Sequence, residues 1–81
     1  MNKPITDDDE SLVKEICADL ISSRSSSNNV RARDVADDDR FKEKFDYDSK
    51  TVRSRYAGRI LKNADWTERW SKLYYTVNIN D

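Results

Sequence analysis

Ser49-Lys50-Thr51-Val52-Arg53-Ser54-Arg55-Tyr56-Ala57-Gly58-Arg59-Ile60-Leu61-Lys62-Asn63-Ala64 carries five cations and no carboxylate, in a chain of 81 residues otherwise rich in aspartate. It holds no proline and a single glycine, and it follows the turn formers Asp46-Tyr47-Asp48, so it predicts a helix capped at Asp48 or Ser49. Val52, Tyr56 and Ile60, each four residues apart, form its expected buried ridge, and Leu61 and Ala64 close its C-terminal end. Lys50, Thr51, Ser54, Arg55 and Gly58 are expected on the outer face, with Arg53, Arg59 and Lys62 along the flanks. Glycine costs roughly 1 kcal/mol relative to alanine inside a helix, so Gly58 implies a close approach to another helix or to a nucleic-acid backbone.

The charge of this segment stands out against the rest of the chain. Residues 1–48 hold 8 Lys and Arg against 13 Asp and Glu, a net of −5, whereas residues 49–81 hold 7 against 3, a net of +4. A nearly neutral chain with its positive charge gathered on one helix has the local footprint of a nucleic-acid reader. Aspartate outnumbers glutamate 12 to 4, with runs at Asp7–Asp9 and Asp37–Asp39, a composition suited to a high-salt host as well as to helix N-termini.

Toward the N-terminus, Thr6 followed by Asp7, Asp8, Asp9 and Glu10 supplies a capping hydroxyl and negative charges for a first helix. Leu12, Val13, Ile16, Cys17, Leu20 and Ile21 fall on one stripe of it, which assigns Cys17 to the core. Ser22–Asn29 is polar and aperiodic and predicts a loop. Ala32, Val35 and Ala36 give a short second helix within Arg31–Asp38, and Phe41 and Phe45 are expected to anchor the core from a further turn, with Lys42-Glu43-Lys44 in solvent. Beyond Asp65 the period becomes two. Leu73, Tyr75, Val77 and Ile79 alternate with Tyr74, Thr76 and Asn78 as a half-buried strand, paired with Trp66–Trp70 through a turn near Ser71-Lys72. Trp66 and Trp70 are both expected as core anchors.

Composition also narrows the function. The chain suits one small domain over residues 6–81, preceded by a flexible segment 1–5, with little volume for a substrate cleft, and an enzyme is disfavoured. Histidine is absent and Cys17 is the only cysteine, so no metal site, cofactor or disulfide is expected. No stretch reaches the roughly 18–20 apolar residues of a membrane span and Met1–Ile5 lacks a signal-peptide core, which leaves a cytoplasmic protein with no membrane partner as the expectation.

Three helices followed by a β-hairpin is the order of winged helix-turn-helix DNA-binding domains, and the residues resemble that family in places. Val30-Arg31-Ala32-Arg33-Asp34-Val35-Ala36 looks like its short strand and second helix, Ser49–Leu61 like its recognition helix, and Leu73-Tyr74-Tyr75-Thr76-Val77 like its last wing strand. The flavour is that of small archaeal or viral transcription regulators, and the resemblance spans residues 7–79. Asp37–Asp48 departs from it, being longer and more acidic than a three-to-four-residue turn, with room for an extra helical turn.

The fold expected is therefore α+β and mainly α, with a three-helix core and a C-terminal hairpin wing at 66–79. The resemblance implies a sequence-specific binder of double-stranded DNA, expected to repress transcription as a homodimer, with helix 49–64 in the major groove. Lys50, Thr51, Ser54 and Arg55 would reach bases, Arg31, Arg33, Arg53, Arg59 and Lys62 would touch phosphates, and Arg69 and Lys72 would serve the wing. The alternative is a protein-interaction adaptor or inhibitor that presents Trp66, Trp70, Tyr74 and Tyr75 as anchors beside an acidic central segment.

Overall fold

The computed structural model describes residues 5–23, 28–46 and 49–78. Thr6 caps helix α1 (Asp7–Ser22): its side-chain oxygen accepts from the Asp9 N–H at 3.1 Å, with the four acidic residues of the first turn at the positive end of the helix dipole. Strand β1 (Asn29–Arg31) leads directly into α2 (Ala32–Ala36), then come α3 (Asp39–Lys44), α4 (Lys50–Asn63), β2 (Thr67–Arg69) and β3 (Tyr74–Val77). Helices dominate, and the strands form one small antiparallel sheet in the order β1-β3-β2. This is the mainly α, α+β class that the patterning implies.

The room for an extra turn between the second helix and the basic helix is filled by α3, a separate element. Asp38 caps it by accepting from the Arg40 N–H at 2.9 Å. Asn29, expected in the loop, is instead the first residue of β1, because its neighbour Val30 finds a buried place opposite Tyr75. Half of that expected loop, residues 24–27, lies outside the described residues, as do Tyr47, Asp48 and Ile79. Ser49 is the cap of α4, its side chain accepting from the Val52 N–H at 3.2 Å.

One apolar core joins all the elements except β2. Val13, Ile16 and Cys17 from α1 meet Val35 and Ala36 from α2, Tyr56, Ala57, Ile60 and Leu61 from α4, and Tyr75 and Val77 from β3, while Ile5, Leu12, Leu20 and Ile21 pack at its margin. Phe41 and Phe45 anchor α3 as expected. Their rings lie 4.7 Å apart, and Phe45 meets Tyr56 edge-on at 5.1 Å, so an aromatic row runs from α3 to α4. Burial pushes the Cys17 thiol up to about 12, which removes thiolate chemistry near neutrality and leaves it as a small core residue.

Polar clamps tie α1 to the rest of the molecule. Asp9 is buried and accepts from the Tyr56 hydroxyl at 2.7 Å, and the Lys44 ammonium lies 2.8 Å from its other oxygen. Burial alone would raise the pKa of this carboxyl, but the bonds from Lys44, Tyr56 and Thr6 outweigh it and hold the group below its ordinary value. Next to it, Glu10 accepts from the Trp66 indole N–H at 3.2 Å. Arg40 of α3 spans Asp38 at 3.0 Å, Asp19 at 2.7 Å and Glu15 at 3.4 Å, and its hydrogen bonds lower the Asp38 pKa. The Lys42-Glu43-Lys44 tract is exposed as expected, although Lys44 also serves Asp9.

Candidate nucleic-acid interface

Successive residues of an α-helix turn by about 100°, so a four-residue step advances by about 40°. Along α4 this drift separates Val52 from the ridge it was expected to share. Tyr56, Ala57, Ile60 and Leu61 are buried, whereas Val52 is 44% exposed, because the centre of the buried arc lies nearer Ile60. The outward band is Thr51, Val52, Arg55 and Lys62, all exposed, with half-buried Arg59 at its edge. Lys50 stands exposed at the N-terminus, in a first turn without an acidic residue. Among the described residues no ion pair engages Lys50, Arg55 or Lys62.

The other expected site residues are distributed differently. Ser54 is half-buried, and Gly58 beside it faces α2, not the outside. A methyl group on Gly58 would meet the Ala32 methyl at 3.5 Å, an ordinary van der Waals contact. The close approach that Gly58 implied is thus to α2, and it is not so close that glycine is required. Arg53 is half-buried on the side of the helix shared with Ala57 and Ile60, away from the band. The Arg59 guanidinium lies over the Tyr56 ring, 5.8 Å from its centroid.

Arg33 is exposed on α2, and Arg31, whose side chain also reaches solvent, is engaged by its neighbours. Asp34 accepts from the Arg31 backbone N–H at 3.4 Å and from its guanidinium at 3.3 and 3.2 Å, and the same guanidinium lies 5.7 Å from the centre of the Tyr74 ring. Arg31 therefore starts α2 and braces the sheet before it can serve any ligand.

The hairpin carries Arg69 and Lys72, both exposed. Arg69 bonds back to the Ser71 carbonyl at 3.3 Å and the Lys72 carbonyl at 3.1 Å, and its guanidinium lies 5.9 Å from the Tyr75 ring centre, so it shapes the turn that presents Lys72. The two tryptophans part company: Trp66 is buried against α1, as expected, while Trp70 is 64% exposed past the end of β2. Leu73, expected on the buried side of the last strand, is 66% exposed because β3 begins one residue later. Only the exposure of Val52 was open to discovery from sequence, through the helical drift.

Among the described residues no cluster of three metal-ligating side chains occurs, and no helix is long and apolar enough to cross a membrane. A shallow hollow lined by Leu12, Arg40, Glu43 and Lys44 lies between α1 and α3, and its two cations, Arg40 and Lys44, are already paired internally. Comparison with family models, curated proteins and solved structures found no match.

Proposed function

We propose that the protein binds double-stranded DNA as a winged helix-turn-helix regulator, with α4 in the major groove. The observation that carries this reading is the outward band of α4, where Lys50, Arg55 and Lys62 stand exposed beside Thr51 in a helix that has no carboxylate. The element order and the β1-β3-β2 sheet agree with the fold-level resemblance, which by itself argues only by analogy. Several acidic residues are neutralised within the fold. Asp38, Asp19 and Glu15 are engaged by Arg40, and Asp9 is engaged by Lys44.

In this arrangement Thr51 and Arg55 read base edges near the N-terminal half of α4, arginine matching the two acceptors of guanine. Val52 joins them and offers a methyl-bearing surface to thymine. Lys50, Arg59 and Lys62 hold phosphates, with Arg33 on α2 and Lys72 on the hairpin extending the footprint. Arg31 and Arg53 contribute less than their charge suggests, because their side chains are partly withdrawn into the fold. Two copies on a two-fold symmetric site would supply the contacts that one small module lacks, and repression follows if such a site overlaps a promoter.

The test is fluorescence anisotropy of mixed duplex fragments across a salt series. The expected result is preference for particular fragments, with log affinity falling linearly in log salt and a slope of about −4 for four or five phosphate contacts. Absence of binding under conditions where circular dichroism shows the helices intact would sink the reading. The adaptor reading draws on the exposure of Trp70 and Leu73, but Trp66 and Tyr75, two of its four aromatic anchors, are buried.

A further inference from the structure

The β2–β3 connection reads Arg69-Trp70-Ser71-Lys72-Leu73: two cations, no carboxylate, and two large apolar side chains left out of the core, Trp70 64% and Leu73 66% exposed. Burying a leucine stabilises a fold, so leaving this one in solvent forgoes a gain the core could have taken.

The tip is also held in shape. The Trp70 and Ser71 N–H groups both donate to the Tyr74 carbonyl, at 3.1 and 3.2 Å, and Arg69 donates to the carbonyls of Ser71 and Lys72. The Trp70 ring stands edge-on to Tyr74 with centroids 6.0 Å apart, and Arg31 of β1 lies against the same Tyr74 ring. Trp70 is thereby braced through β3 to β1. Leu73 continues in sequence the alternation of Tyr75 and Val77, whose side of the sheet meets the helices, and it lies just beyond the core they form.

A fixed turn that offers an apolar side chain next to cations in sequence suits a polyanion with apolar layers inside it. A second copy meeting the same patch by two-fold symmetry would set Arg69 and Lys72 against their own kind, which costs energy unless other charges intervene. The DNA minor groove matches both features: phosphates line its edges, and apolar side chains can part its base steps.

We infer that the hairpin tip is a minor-groove wedge, in which Leu73 enters between two base pairs, Arg69 and Lys72 hold the flanking phosphates, and Trp70 stiffens the turn from behind. The duplex then kinks toward its major groove at that step. This inference rests on the duplex-binding reading of α4 and adds a deformation that groove reading by α4 does not require.

The experiment is fluorescence resonance energy transfer between the ends of a duplex fragment bound by the wild-type protein, repeated with Leu73→Ala and Leu73→Ser, and paired with 2-aminopurine placed at successive steps. The expected result is a bend of roughly 20–90° and a brightened 2-aminopurine step with wild type. Both signals are lost in the two variants at protein concentrations where anisotropy shows the fragment saturated, while the variants, altered only at an exposed position, keep the wild-type circular dichroism. A wild-type complex whose duplex stays straight, or variants that bend it equally, would overturn the wedge and leave the α4 reading standing. Sedimentation showing a dimer that Leu73→Ala dissociates, with the duplex straight, would assign the tip to a second copy and likewise overturn it. Failure of both wild type and variants to bind any duplex would overturn the α4 reading, and the wedge with it.

Discussion

α1 and α4 are the two long helices of the molecule, and they use charge in opposite ways. α1 opens with four acidic residues, and four of its six carboxylates turn to the protein itself: Asp9 to Lys44 and Tyr56, Glu10 to Trp66, Glu15 and Asp19 to Arg40. α4 opens with Lys50, has no acid in its first turn, and leaves Arg55 and Lys62 in solvent. A cation at a helix N-terminus opposes the dipole by a few tenths of a kcal/mol or more, so the sequence of α4 accepts a small local penalty that α1 avoids. One helix turns charge inward for cohesion, and the other leaves three of its five cations, Lys50, Arg55 and Lys62, exposed.

The contrast can be broken from the α1 side first. Asp9→Ala leaves Lys44 and the buried end of Tyr56 without their shared acceptor and is expected to lower unfolding free energy by about 3 kcal/mol, the low end for a broken buried pair because Lys44 stays partly in solvent. Urea denaturation measures it, with Tyr56→Phe expected to lose about half as much. The same clamps set an acid limit. Asp9 and Asp38 both titrate below their ordinary value of 3.8, so the folded state binds fewer protons than the unfolded chain in that region. Their contribution is fully present above pH ~4 and disappears as pH falls through the folded values. Thermal melts from pH 7 down to pH 2 should show the loss confined to the acid end, and Asp9→Asn should flatten that fall.

From the α4 side, stability should hardly move while binding does. Arg55→Ala is expected to cost roughly 1–3 kcal/mol of binding free energy on the preferred fragment and to relax base preference, with the urea midpoint unchanged. Between the two helices' roles lies Gly58. Because a methyl group fits against Ala32, Gly58→Ala should raise stability by up to about 1 kcal/mol through helix propensity alone and leave binding as it was. Lys62→Ala has the smallest expected effect, a similar weakening on every fragment and a salt slope shallower by about one.

Much of this organisation is legible in the chain. The Thr6 cap, the α1 stripe, the Ser49 start of α4 and the β2–β3 pairing follow from local chemistry: capping oxygens and periodic apolar residues act within a few positions of one another. Asp9 was legible in part, since it lies four before Val13 and seven before Ile16, on the apolar stripe. Its partners Lys44 and Tyr56 were not, because their meeting depends on how α3 and α4 pack. Val52 was legible through the helical drift, whereas Trp70 and Leu73 were not, because a periodic pattern gives the direction of a side chain but not whether another element covers it. Val52 sits off the centre of the buried arc, and the other two lie past the ends of their strands. Of the candidate interface, the basic helix was visible at once, whereas the placement of Arg31 against Tyr74 required the packed sheet.

The most direct measurement compares Arg55→Glu on α4 with Lys14→Glu, an exposed position on α1 that makes the same change in net charge. Duplex affinity is read by anisotropy over a salt series. The expected result is that Arg55→Glu abolishes selective binding while Lys14→Glu stays within about a factor of a few of wild type, as a distant charge screened by salt should. Equal weakening by the two substitutions would mean that only overall charge matters, and would contradict the assignment of the DNA-binding surface to α4.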